Sequence, residues 1–138
     1  ILDLDTDPHI PDGWEIRPED QISSRLTGSC ELDVDKIGLH LDPRQQDGKS
    51  IVGHELKKQL EGQQVMPAHV LDHLLEHPEL IPESWKEKYV FFWGTIYRSS
   101  DGSLCVRYLH WDGDWWDWND YWLVFQWFGH VPSAVVAS

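Results

Sequence analysis

Between Trp111 and Trp127 the chain interleaves large aromatic rings with short polar side chains, as in Trp111-Asp-Gly-Asp-Trp-Trp-Asp-Trp-Asn-Asp-Tyr-Trp122. Two thirds of the nine Trp residues fall here: Trp111, Trp115, Trp116, Trp118, Trp122 and Trp127. A Trp buries a large area and needs a partner for its ring N–H, so such density builds either a core or an adhesive surface. Parity separates the two roles. Trp116, Trp118, Asp120 and Trp122 share one parity, while Asp117, Asn119 and Tyr121 share the other, and in a strand these sets face opposite ways. One face becomes an aromatic floor and the other a row of hydrogen-bonding tips. The floor is read as scaffold, with Asp120 held by hydrogen bonds because an unpaired buried carboxylate is costly. Nothing structural requires Asp, Asn or Tyr between the rings. Recognition chemistry is expected there, with Asp117, Asn119 and Tyr121 exposed together.

Other patterns invite a metal or a reaction. His69, His73 and His77 fall at i, i+4 and i+8, where neighbouring pairs are within reach of one ion. Three His over two turns converge poorly on a single ion, and no Cys or carboxylate pair completes a tetrahedral set. A solvated polar face is the expectation. Asp3-x-Asp5-x-Asp7 begins like a calcium loop but lacks its Gly and distal Glu, so it reads as solvated charge. No metal and no cofactor is expected. The chain has no G-x-S-x-G elbow, no H-E-x-x-H, no recognisable Cys/His pair and no phosphate-cradling Gly loop. Carboxylates and His are plentiful, yet no spacing singles out an acid–base pair. The chain is read as non-enzymatic, with no catalytic residue.

The elements that must position the Trp-rich stretch come before it. A chain of 138 residues is expected to form a single domain, 1–138, with a real core. Residues 1–31 read as an acidic arm punctuated by Pro8, Pro11 and Gly13 and anchored by Trp14. Residues 32–107 read as the scaffold. Alternation over Leu32–Leu41 slips near Lys36, which predicts two short strands with a turn or bulge between them. Asp42–Gly48 reads as an exposed loop. Gly53 opens a helix with Leu56 and Leu60 on one face and Gly62 ending it in the C′ role, and Pro67 stands in the first turn of a second with Val70, Leu71, Leu74 and Leu75 inward. Tyr89–Ser99 is aromatic and β-branched on both parities, which predicts one central strand covered on both faces. A hairpin at Ser100-Asp-Gly102 leads to a returning strand over Leu104–Trp111, and Asp112-Gly113 turns into the Trp-rich region, 108–138. Val131–Ser138 reads as a short closing strand.

Charge and composition exclude some partners. A net charge of −13 argues against nucleic-acid and anionic-membrane binding, since both require a basic footprint. No apolar run approaches a membrane span, and the opening Ile-Leu-Asp-Leu-Asp has no feature of a signal peptide. Neither membrane insertion nor nucleic acid is expected. The two cysteines, Cys30 and Cys105, allow at most one disulfide and leave redox compartment and localisation open. Oligomeric state is equally open.

The order of elements resembles that of an α+β C-type lectin-like fold: two helices packed on a small antiparallel sheet, then a long-loop, Trp-rich C-terminal half. More specifically, the sequence resembles the variable proteins of diversity-generating retroelements. The likeness runs from about Ile37 to Ser138. It is carried by Val90-Phe-Phe-Trp-Gly-Thr-Ile-Tyr97, Val106-Arg-Tyr-Leu109, Trp111-x-Gly113, Trp116-x-Trp118, Trp122-Leu123 and Pro132-Ser-Ala-Val-Val-Ala137. In such proteins a fixed scaffold holds a ligand-binding face whose residues are rewritten by adenine-directed copying of a template. AAC-type template codons reach a set of amino acids that excludes Trp, Lys, Glu, Gln and Met. His110, Asp112, Asp117, Asn119, Tyr121, Val124, Phe125, Phe128, Gly129, His130 and Val131 all belong to that set, while Gln126 and Trp115 do not and would be fixed. The resemblance therefore implies a ligand-binding surface on those eleven positions. It implies a scaffold of Trp93, Trp111, Trp116, Trp118, Trp122 and Trp127, and a protein ligand, on another cell or a virus, as the partner. Apolar Val124, Phe125 and Phe128 make sense in a loop if they meet that partner. Tyr and Phe offer contact area at small entropic cost, and Asp, Asn and His offer adaptable hydrogen bonds, as in an antibody paratope.

Two alternatives belong to other classes. Trp118-Asn119-Asp120 coincides with the motif of calcium-dependent sugar-binding lectins, although the partner Glu-Pro-Asn and the lectin cysteines are missing. The −13 charge also fits an acidic nucleic-acid mimic that inhibits a DNA-binding protein, but the acids are dispersed and many lie in the arm.

Overall fold

A computed structural model describes residues 2–137 and has an α+β architecture. In chain order the elements are β1 (Leu2–Asp3), β2 (Ser29–Cys30), β3 (Ile37–His40), β4 (Ile51–Val52), α1 (Gly53–Gln59) and α2 (Ala68–Glu76). They continue with β5 (Val90–Phe91), β6 (Tyr97–Arg98), β7 (Leu104–Trp111), β8 (Trp116–Trp122), β9 (Gln126–Trp127) and β10 (Ser133–Val136). The central sheet runs β3-β10-β5-β7-β6, with β8 paired to β7. It is mixed rather than the antiparallel sheet expected, because β10 lies parallel to β5 while its other pairings are antiparallel. Two ribbons, β1–β2 and β4–β9, stand beside it.

Val90 and Phe91 point to opposite faces of the sheet, and each joins a different core. Phe91 belongs to the cluster containing Leu56 and Leu60 of the α1 region, Val106, Trp127 and Val135. Val90 belongs to the cluster containing Val70, Leu71 and Leu74 of α2, with Leu109, Trp85 and Ala134. The two helices thus cover opposite faces of the sheet. Helix α1 carries Glu55 in its first turn and Lys57 and Lys58 in its last, which suits its dipole. Gly53 is fixed by space: a Cβ there would lie 2.6 Å from the Leu123 backbone and from the Trp127 ring nitrogen. Pro67 is the N-cap of α2 rather than a first-turn residue.

Three expectations are corrected by local packing. Tyr89–Ser99 is not one strand, since β5 and β6 are separated by a turn through Phe92–Ile96. The Gly94 amide donates to the Met66 carbonyl at 2.8 Å, and a Cβ on Gly94 would lie 2.5 Å from that carbonyl's carbon. The connection between the helices therefore docks into the strand, and the Ala68 amide donates to Thr95 Oγ1 at 2.9 Å. Residues 90–97 are nonetheless all buried, as a central segment should be. Before β3, Val34–Lys36 forms a single 3-10 turn in place of the first of the two strands, because the Asp33 side chain caps it by accepting from the Asp35 amide. Asp42–Gly48 is not simply exposed: a capping box at Asp42 and Gln45 opens a 3-10 turn, and both residues are buried.

The arm is tied down as Trp14 suggested. Trp14 packs against Tyr97 with ring centroids 5.4 Å apart and against Trp118 at 6.3 Å. Asp20 accepts two hydrogen bonds from Arg98, and His69 on α2 bonds the Thr6 carbonyl through Nε2. His73 and His77 lie ring against ring at 4.6 Å, tilted by 43°. Among the described residues no group of three or more His, Cys, Asp or Glu is placed to hold a metal ion. Cys30 and Cys105 are separate free thiols, and among the described residues no helix is long and apolar enough to cross a membrane.

Candidate functional site

The β7–β8 ladder positions most of the candidate residues. Its register pairs Trp111 with Trp116, His110 with Asp117, Leu109 with Trp118, Tyr108 with Asn119 and Arg107 with Asp120. It continues through Val106 with Tyr121 and Cys105 with Trp122. Residues directly opposite share a face, so the parity in β8 extends across to β7. Trp116, Trp118, Asp120 and Trp122 lie on the side covered by α2 and the arm. Asp117, Asn119 and Tyr121 lie on the other, which is covered by the α1 region at the Val106–Tyr121 end and open towards His110 and Asp117.

The α2 side is built around an unforeseen group. Arg107 is 1% exposed. Its Nη2 lies 2.9 Å from Asp72 of α2, its Nη1 donates to the Tyr97 hydroxyl at 3.3 Å, and its guanidinium lies 4.2 Å from the Trp118 ring centroid. The Trp floor is thus a cation–π surface as well as apolar area. Burial pushes the Tyr97 phenol up to about 12, although Arg107 pulls the other way. Asp120 is half-buried; desolvation raises its carboxyl above the usual range, opposed by a hydrogen bond from the Trp122 side chain. Trp116 packs on Trp111 at 5.4 Å, and Lys86 Nζ sits 4.1 Å over the Trp111 ring. These strand Trp residues are half-buried, and the fully sealed rings are Trp93 and Trp127, in mutual contact at 4.8 Å.

On the opposite face Asp117 and Asn119 are exposed, and each curls back on its own strand. Asp117 Oδ1 accepts from the Trp118 amide and Asn119 Oδ1 from the Asp120 amide, both at 2.8 Å. Strand β8 has β7 on one side only, so these amides belong to its free edge. The Asn119 and Asp120 side chains leave the strand in opposite directions, which does not suit joint ligation of one ion. Tyr121 keeps the expected face but is half-buried rather than exposed: its ring packs 5.0 Å from Trp127, and its hydroxyl donates to the Gln126 carbonyl.

Next to Tyr121 the face sinks into a concavity of about 220 Å³. Tyr89, Phe91, Tyr108, Tyr121, Gln126, Phe128, His130 and Val131 line it. Tyr108 meets Phe91 at 4.7 Å and Tyr89 at 5.2 Å with the rings tilted, and Tyr89 meets His110 edge-on at 6.0 Å and His130 at 5.6 Å. Burial, reinforced by neighbouring Tyr89, raises the Tyr108 phenol. Tyr121, Phe128, His130 and Val131 thus line one hollow, and His110 packs against its Tyr89 and Tyr108.

The remaining candidates divide. Val124 and Phe125 are exposed in the turn after β8, where Phe125 stacks on Trp122 with rings 6° from parallel. Asp112 is exposed in the turn to β8, whose tip also carries Trp115, 55% exposed. Two positions are constrained. Val131 is buried in the core, and a Cβ on Gly129 would lie 3.0 Å from the Gln45 carbonyl. Gln45 holds this loop from below, its Nε2 donating to the Phe128 and Val131 carbonyls at 3.1 and 3.3 Å. Tyr89, Tyr108 and Gln45 are residues that reasoning from the sequence missed. Tyr108 could have been found by carrying the parity of His110 two residues back along β7; nothing in the sequence points to Gln45. The chain matches no family model, no curated protein and no solved structure.

Proposed function

We propose that this is a non-enzymatic recognition protein whose C-terminal half presents a diversified ligand-binding face on a fixed, C-type lectin-like scaffold, in the manner of retroelement variable proteins. The observation that carries the reading is the division within β8. Each Trp faces the α2 side, and the exposed Asp117 and Asn119 alternate with them on the side that continues into the aromatic hollow. Changes at such tips alter recognition without emptying a core. Exposed Phe125, Phe128 and Val124 extend the same surface and suit a protein ligand, where a few aromatic anchors dominate affinity. Val131 and Gly129 fit the fixed part better, since burial and close backbone approach restrict what can replace them.

A displayed library tests this reading. His110, Asp117, Asn119, Phe125, Phe128 and His130 are randomised together and the fraction of folded members is measured, followed by selection against unrelated proteins. Most members should fold, and binders should emerge. A library that largely fails to fold would overturn the reading. A near-copy of the gene's end, carrying adenines at the varied codons and lying beside a reverse transcriptase gene, is the matching expectation at the nucleotide level.

A further inference from the structure

We propose that the hollow beside β8 is an aromatic cage for an organic cation, a guanidinium or ammonium group presented by the protein ligand. This inference rests on the reading of that face as the binding surface and names the chemistry of its central subsite. Tyr89, Phe91, Tyr108, Tyr121, Phe128 and His130 line a concavity of about 220 Å³, room for one side-chain head group. Aromatic faces carry negative quadrupole potential and attract a desolvated cation. Phenol hydroxyls of Tyr89 and Tyr108 add oxygen acceptors, which N–H donors of a guanidinium or ammonium group can use.

The surrounding charge selects the same occupant. None of the described residues lining the hollow is Lys or Arg, so no internal cation competes for the rings. The chain carries 24 acidic against 11 basic side chains. Asp117 stands on the same face, paired across the ladder with His110, whose ring meets Tyr89. A positively charged side chain therefore gains from long-range attraction as well as from the rings. The protein already uses this chemistry on the other side of the sheet, where the Arg107 guanidinium lies over Trp118.

Aromatic-selective NMR titrations of the full chain test the cage with choline and N-acetylarginine amide as cations and 3,3-dimethylbutanol as the neutral isostere of choline, at constant ionic strength. The cations should shift Tyr89, Tyr108 and Phe128 signals saturably, and the isostere should bind at least about fivefold more weakly. Choline and arginine distinguish a quaternary ammonium from a guanidinium preference. Tyr89→Leu, at an exposed position, should weaken cation binding by about fivefold, and Tyr89→Phe should preserve the binding of choline, which has no N–H and uses the ring alone. Equal binding of the isostere, absence of saturable shifts, or indifference to Tyr89→Leu would each overturn the proposal. Such a result leaves the randomised library's outcome untouched, whereas collapse of that library removes the binding-face reading whatever the titrations show.

Discussion

Arg107 stands opposite Asp120 across the β7–β8 ladder, yet its buried guanidinium takes its carboxylate from Asp72 on α2, at 2.9 Å. The pair ties the helix to the back of β7, whose other face carries Tyr108 and His110. Removing one partner of a buried pair leaves an uncompensated charge. Asp72→Ala should therefore cost roughly 2–4 kcal/mol, below the range for a fully buried pair because Asp72 keeps some solvent contact. Urea denaturation measures this directly. A loss of only a few tenths would mean that the ion pair contributes little and that Trp118 and the Tyr97 hydroxyl hold Arg107 without it.

Asp120 gives a pH signature. Burial raises its carboxyl, so the folded chain holds that proton more tightly than the unfolded chain. Stability then falls as pH rises from the ordinary Asp value, about 3.9, through the folded value, and the loss is complete above it. Asp120→Asn keeps an acceptor for Trp122 and removes the charge. It should raise the melting temperature at pH 7, with the gain fading as pH falls through the folded value and gone below about 4. A variant less stable than the parent at pH 7 would show that the charged form is favoured.

Much of this arrangement was legible in the sequence because β8 is a long strand whose period survives. Trp116 to Trp122 keep their parity, and the turns expected at Ser100–Gly102 and Asp112-Gly113 form, with Gly102 and Gly113 at φ +88° and +94°. The failures came where distant chain intervenes. Gly94 interrupts a sequence that reads as continuous strand because the connection between the helices presses into it, a contact no local pattern records. Gln45 looked like part of a polar loop, and only the fold places carbonyls of Phe128 and Val131 above it. Tyr121 passed as a tip by parity alone, but the Trp127 ring that half-covers it comes from the next ribbon. Arg107 was visible as a residue, though its burial depends on Asp72 and Trp118 converging from elsewhere.

The free edge of β8 is closed by its own tips. With Asp117 and Asn119 accepting from the Trp118 and Asp120 amides, little donor capacity faces outward for another strand. Replacing both residues by Val frees those amides and raises β propensity on an exposed edge. The double variant should self-associate with concentration in sedimentation velocity while the parent does not. Unchanged sedimentation would show that something other than these side chains protects the edge.

Calcium should have no effect. A calcium site formed by Asn119 and Asp120 requires oxygens of both about 2.3–2.6 Å from one ion, and the two residues leave β8 on opposite faces. The melting temperature is expected to be the same in millimolar calcium and in chelator. A clear rise with calcium would mean that β8 rearranges around the ion, and would favour sugar binding.

An alanine scan of β8 and the loop after it, followed by thermal and urea denaturation, measures the separation of scaffold from recognition without knowledge of the ligand. Trp127→Ala, which empties a sealed site, should cost roughly 3–5 kcal/mol, and the half-buried Trp116, Trp118 and Trp122 about 2–4. Tyr121 should fall between the sets. Asp117, Asn119, Phe125, Phe128 and His130 should each cost about 0.5 kcal/mol or less, the range of exposed positions. If these five prove as costly as the Trp residues, they hold the fold together, and the surface cannot be a tolerant binding face.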